Sequence, residues 1–111
     1  MRTDELGNVS GYTDTVDAVV VAMCLDYERR RHEIEKDTLS HRTLMEYRYL
    51  NYRVFDGAAE IVGIDDADIY IYEIGRKIGY AKSTLDDVSE FTYKRKKMEV
   101  KVSIARSLHL L

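Results

Sequence analysis

Proline is absent from all 111 residues, and this absence shapes the reading of everything else. Proline removes a backbone donor and clashes with the preceding helical turn, so a chain without it can carry long, uninterrupted helices. Cysteine is nearly absent too. Cys24 stands alone, which excludes an intrachain disulfide and fits a reducing compartment. One cysteine and three scattered histidines (His32, His41 and His109) are too few ligands for a structural zinc site. Long apolar runs are missing as well. Nothing approaches the roughly 20 residues that span a bilayer, and the first residues lack a hydrophobic signal core. The expected address is the cytoplasm, with no membrane partner.

What is present is ordinary for a globular domain: 45% apolar and 33% charged residues, in a length that suits one core better than two. The net charge of −3 conceals a segregation. Residues 1–73 carry 8 Lys/Arg against 16 Asp/Glu (8 − 16 = −8), whereas residues 74–111 carry 9 against 4 (9 − 4 = +5). Such segregation points either to a basic face for an anionic partner or to a solvated helix surface.

Residues 1–12 are polar, glycine-bearing and aperiodic, and they read as a loose arm. A first helix is expected from Asp14, acting as N-cap, with Val16, Val19, Val20, Met23, Cys24, Tyr27 and Ile34 on one stripe. The mixed charges of residues 28–36 read as its solvated end. Residues 37–40 break the pattern and offer caps for a second helix to about Val62. Leu44, Tyr47, Leu50, Val54, Ala58 and Ile61 form its apolar face, and Gly63 is its C-terminal stop. A short link between two amphipathic helices implies an antiparallel hairpin over residues 14–63. Tyr47, Tyr49 and Tyr52 interleave with Arg48 and Arg53; they read as packing tyrosines beside solvent-reaching arginines, with base stacking as the alternative.

Asp65 and Asp66 are expected to cap a third helix through Ile78, closed by Gly79. Ser83, with Asp86 three residues on, carries the signature of a helix start, and from Thr84 to about Leu110 nothing halts the pattern. Residues 71–90 therefore spell a helix-turn-helix. Gly75 supplies the small residue where two helices cross, and Gly79 the residue that tolerates positive φ in the turn. Ile74, Ile78, Tyr80, Leu85 and Val88 face the shared core. The expected fold is all-α and one domain over 1–111: the hairpin, then a helix-turn-helix over 65–111 with an extended last helix.

The stretch Ile74-Gly75-x-x-Ile78-Gly79-Tyr80-x-x-Ser83-Thr84-Leu85 resembles the helix-turn-helix of sigma factor region four and of the ArpU/RinA-type transcriptional regulators of prophages. The close match spans about twenty residues; beyond it, only the helical layout agrees. The resemblance implies a DNA-binding regulator of phage or mobile-element genes. It places Lys82, Ser83 and Thr84 at the start of a recognition helix, against base edges, and Arg76 and Lys77 near phosphates. The basic run Tyr93–Lys97 adds Lys94, Lys96 and Lys97 as phosphate contacts, or else forms a solvated helix surface. Double-stranded DNA is the expected partner. A homodimer is expected because one recognition helix alone binds weakly.

A competing reading from another class is a helical adaptor that binds RNA polymerase, another helical protein or itself. It draws on Asp86, Asp87 and Glu90, three carboxylates on the outward positions of the expected recognition helix, which repel a polyanion. Nothing in the chain suggests an enzyme or a cofactor. The acidic pairs Asp65/Asp66 and Asp86/Asp87 read as helix-start residues, Cys24 as a core residue, and His41 near Ser40 and Asp37 lacks the third partner of a triad. Gly75 and Gly79 follow no strand, so a phosphate-cradling loop is unsupported.

Overall fold

The computed structural model describes residues 9–111, which form five α-helices and one 3-10 turn, with no strand among them. In chain order these are α1 (Asp14–Leu25), α2 (Tyr27–Lys36), α3 (His41–Val62), α4 (Ile64–Gly75), the 3-10 turn (Tyr80–Lys82) and α5 (Glu90–Ser107). The all-α class follows from the sequence as expected. So does the helical state of the Val19–Val21 run, whose local preference for strand yields to the surrounding 3.6-residue pattern.

Caps set the ends, though not always those expected. The N-cap of α1 is Thr13, whose Oγ1 accepts from the Val16 N–H at 3.2 Å; Asp14 is instead the first helical residue, where its charge suits the helix dipole. Asp26 alone separates α1 from α2, and the i→i−4 bonds run on through it (Asp26 N–H to Ala22, Arg30 N–H to Asp26). Ser40 caps α3 through Thr43, and Gly63 ends it at φ 85°, as the sequence suggests. α4 then starts at Ile64 without a side-chain cap, so Asp65 and Asp66 serve the first turn as charges and not as caps. Of the expected loose arm, residues 1–8 lie outside the described residues. Tyr12 is no part of an arm: it is buried, and its hydroxyl donates to Asp17 at 2.8 Å.

The hairpin forms between α2 and α3. Its antiparallel sense is visible where Tyr27 meets Asn51 and, two residues on, Arg29 meets Tyr47. Residues 28–36 are not uniformly solvated, because Arg30 is buried. Its Nε donates to Asn51 Oδ1 at 2.6 Å and an η-nitrogen to the Met23 carbonyl, while Asn51 Nδ2 donates to the Tyr27 carbonyl. α1 turns away from this hairpin and packs on α4 and α5, and the most extensive helix interface is that of α3 with α5. One core results, with Val20, Val54, Ile71, Ile74, Val100 and Ile104 at its centre. Gly57 allows the α3–α5 approach: a Cβ there would lie 2.8 Å from Ile104 Cα.

Around the expected helix-turn-helix the structure departs from the sequence reading. α4 stops at Gly75, short of Ile78, and the residue with positive φ is Lys77 (φ 56°). Ile78 N–H bonds to the Glu73 carbonyl at 2.9 Å and Lys77 N–H to that of Ile74 at 3.2 Å, which is a Schellman termination with lysine where glycine is preferred. Gly79 has φ −90° and open space around its Cβ position, so the turn makes no demand on it. Gly75 does sit at a close crossing, but its neighbour is the Cys24–Leu25 backbone of α1 and not the following helix. The helix expected from Ser83 begins six residues later, capped by Ser89, because Ser83 and Thr84 are bound elsewhere.

Two substitutions check this directly. Lys77→Gly should raise stability by about 1 kcal/mol, since a left-handed residue with a Cβ is strained by that order. Gly79→Ala should fall within about 0.5 kcal/mol of the parent, as an unconstrained surface change does. Thermal melts of both variants beside the parent decide it; a clear loss in Gly79→Ala would mean that the turn is built otherwise.

Candidate nucleic-acid interface

The surface built by residues 76–95 is organised by one acid. α4 is apolar on its inner side, with Ala67, Tyr70, Ile71 and Ile74 buried, yet Glu73 lies among them at 2% exposure. A carboxylate removed from water requires compensation from donors. Glu73 finds four. Oε1 accepts from the hydroxyls of Ser83 (2.7 Å) and Tyr93 (2.8 Å), and Oε2 accepts from the Thr84 N–H (3.0 Å) and hydroxyl (3.2 Å). Burial pushes this carboxyl up, but the backbone N–H of Thr84 and the three hydroxyls together outweigh it and hold Glu73 below the usual glutamate value.

The rest of the turn is assembled around that acid. The Ser83 hydroxyl also accepts from Leu85 N–H at 3.0 Å, a local turn that competes with helix at this point in the chain. Tyr80 donates its hydroxyl to the Val88 carbonyl at 2.9 Å, and its ring lies 5.7 Å from that of Tyr93, which in turn stacks with Tyr70 at 6.0 Å. Tyr80, Leu85 and Val88 thus reach the core as expected, Tyr80 from the 3-10 turn and the other two from the irregular segment after it, none from an α-helix. Ile74 is buried, while Ile78 is half-buried and acts through its carbonyl, which accepts from Lys97 Nζ at 2.6 Å.

This arrangement divides the residues expected at DNA into two groups. Ser83 and Thr84 are engaged with Glu73, and Lys97 is half-buried with its proton affinity lowered by burial and by the charge of Lys101. These three are occupied internally. Arg76, Lys77, Lys82 and Lys94 are exposed and Lys96 half-exposed; Arg76 lies over the Tyr72 ring at 4.1 Å. Lys94 is paired with Glu90 at 2.8 Å and Arg95 with Glu99 at 3.4 Å, both in solvent. The acidic trio Asp86, Asp87 and Glu90 is also exposed.

The sequence reading overlooked the actual start of the last helix. Its first two turns present Glu90, Phe91, Lys94 and Arg95 outward, with Phe91 at 75% exposure, while Tyr93 faces the core. The signal was legible: Ser89 precedes an acid and its hydroxyl caps Thr92 N–H, as strong a start as Ser83 offers on paper. No family model, no characterised protein and no solved structure matches the chain. Cys24 is buried and its thiol is pushed up to about 12, chiefly by that burial, which leaves it without nucleophilic character. No helix among the described residues is long and apolar enough to cross a membrane.

Proposed function

We propose that the protein is a DNA-binding transcriptional regulator of phage or mobile-element type that offers the first turns of α5 to the major groove. The observation that supports this reading is the exposed Phe91–Lys94–Arg95 face at the start of a helix, together with the exposed cations Arg76, Lys77 and Lys82 of the segment that precedes it. The major groove of B-DNA admits one α-helix end-on or along its length, and residues near the helix N-terminus reach base edges. Lys94 and Arg95 would act on bases or phosphates, and Phe91 on a thymine methyl. The pairs with Glu90 and Glu99 do not oppose this, because exposed ion pairs are worth little and exchange readily for phosphate. The clamp around Glu73 ties down the backbone of the turn, which lowers the ordering cost of binding to that of the cationic side chains themselves.

Fluorescence anisotropy on duplex DNA at two salt concentrations tests the reading. Binding should weaken steeply with salt, with a log–log slope near −0.9 per phosphate contacted. Lys77→Ala and Lys82→Ala should each weaken all sequences alike and flatten that slope by about one. Phe91→Ala or Arg95→Ala should instead reduce discrimination between sites, by roughly 1–3 kcal/mol on the preferred one. Failure of the parent to bind any duplex at low salt would overturn it.

The exposed acids Asp86, Asp87 and Glu90 favour a second reading, an adaptor that meets a basic helical partner such as a face of RNA polymerase. The Asp86→Asn/Asp87→Asn double variant separates the two. Near a DNA backbone it gains non-specific affinity, whereas an adaptor gains nothing on DNA and loses its partner.

A further inference from the structure

A groove of about 680 Å³ runs between the C-terminal half of α3 and α5, away from the turn around Glu73. Ile61, Met98 and Val102 give it an apolar wall, and Gly57 and Ser103 lie where the two helices touch. Its rim carries Arg53, Arg95 and Arg106 together with Asp56, Glu60 and Glu99, three charges of each sign. Among the described residues Arg53 Nε is the one buried side-chain donor without an acceptor. A buried N–H left unpaired is costly and calls for an explanation.

The same helix carries the complement of this groove. Met45, Tyr49 and Tyr52, at spacing i, i+4, i+7 in the N-terminal half of α3, are exposed at 50%, 48% and 62%. Tyr49 continues at helical spacing into Arg53, Asp56 and Glu60, and the Arg53 guanidinium lies 5.1 Å from the Tyr49 ring. Ridge and groove are therefore two halves of one continuous face.

We infer that this face is a homodimer interface in which the Met45–Tyr49–Tyr52 ridge of each copy lies in the α3–α5 groove of the other. A two-fold axis near the Tyr52–Arg53 bond, with the two α3 helices antiparallel, sets Tyr49 of one copy opposite Asp56 of the other, and Met45 opposite Glu60 beside the apolar wall. An isologous interface must be complementary to itself. A rim of one sign would repel its copy, whereas a rim with equal numbers of both pairs with it, Arg53 of each copy reaching Asp56 of the other. That contact brings a carboxylate to the half-buried Arg53 side chain, whose Nε has no acceptor within its own copy. Methionine and tyrosine are also the side chains enriched at the centres of interfaces.

The inference does not rest on the DNA reading, and its test uses no DNA. Sedimentation of the full chain from low to high micromolar concentration should show a monomer–dimer equilibrium. Tyr52→Lys, a change at a largely exposed position that leaves the fold intact, should weaken dimerisation by about tenfold or more. Asp56→Arg and Arg53→Glu should each self-associate more weakly than the parent, because each tips the balanced rim to four charges of one sign against two of the other and sets like charges opposite each other at residues 53 and 56. Mixing these two variants should restore a dimer, since Arg53 and the new arginine of one copy then face the new glutamate and Asp56 of the other. Should Arg53→Glu fail to fold, Tyr52→Lys and Asp56→Arg still decide the matter. A monomer at every concentration, or a dimer indifferent to Tyr52→Lys and Asp56→Arg, overturns the inference.

Discussion

Among the described glycines, Gly75→Ala is expected to be the most damaging alanine substitution. A Cβ at this position would lie 2.6 Å from Leu25 N, 2.7 Å from Leu25 Cα and 2.8 Å from the Cys24 carbonyl carbon. All three atoms are backbone, so no side-chain rotation can relieve the contact. α4 and α1 must move apart, and the buried Cys24, Ile71 and Ile74 must follow. Overpacking of this kind costs about 1–3 kcal/mol and occasionally more, and an unyielding backbone neighbour puts Gly75→Ala at about 3 kcal/mol. For a domain of this size that lowers the thermal midpoint by roughly 10–20 °C. Gly75→Leu should be worse still, because three further carbons meet the same backbone. The contrast with the near-neutral Gly79→Ala makes the test specific: equal melting temperatures for the two alanine variants would contradict the crossing of α1 and α4.

The second large effect concerns Glu73. Glu73→Ala removes the shared acceptor of the Ser83, Thr84 and Tyr93 hydroxyls and of the Thr84 N–H; Tyr93 keeps the Ile78 carbonyl at 3.1 Å and exposed Thr84 can turn to water, so the loss should be about 2–4 kcal/mol. The segment between the 3-10 turn and α5 should loosen before the core does, visible as faster amide exchange at Thr84 and Leu85. Glu73→Gln keeps the shape, loses the charge and should cost less. Its carboxyl is held below the ordinary value in the folded chain, so the sign of the pH effect follows. The stabilisation is fully present above the unfolded-state value and disappears as pH falls through the folded one. The stability gap between parent and Glu73→Gln should thus be largest near neutral pH and close in acid. A gap that widened in acid would mean that Glu73 is buried as the neutral acid. Because Arg76, Lys77 and Lys82 belong to the segment ordered by this clamp, Glu73→Ala should also weaken any duplex binding without altering a base-contacting residue.

Much of the helical layout was readable in advance, and the misreadings share one cause. The apolar period of α3, the Ser40 cap and the Gly63 stop are signals written within a few residues of chain, and all three are found in place. The apparent start at Ser83 was equally good as local chemistry. It failed because Glu73, ten residues upstream, takes the Thr84 N–H and the Ser83 proton, while the Ser83 oxygen that a cap would use accepts instead from the Leu85 N–H in a local turn. Gly79 looked like the turn residue because glycine is the residue best suited to positive φ. The Schellman closure falls two residues earlier, where the packing of Ile74 and Gly75 ends α4, and Lys77 has to adopt the strained angle. Arg30 belonged to a run of charges that read as solvated, and only the approach of α3 brings Asn51 to it.

The sequence by itself determined that this chain is helical, where its longest helix starts and stops, and that its cations collect after residue 73. These are consequences of periodicity, of the missing proline and of composition, which act within a few residues. Tertiary structure decided which serine begins the last helix, which glycine is indispensable, and which of the expected contact residues remain available to a partner. Those outcomes depend on what α4 meets across the core, on Leu25 beside Gly75 and on Thr84 and Tyr93 beside Glu73. A contact between residues distant in the chain has no local signature, because its energy exists only once both sides have been brought together.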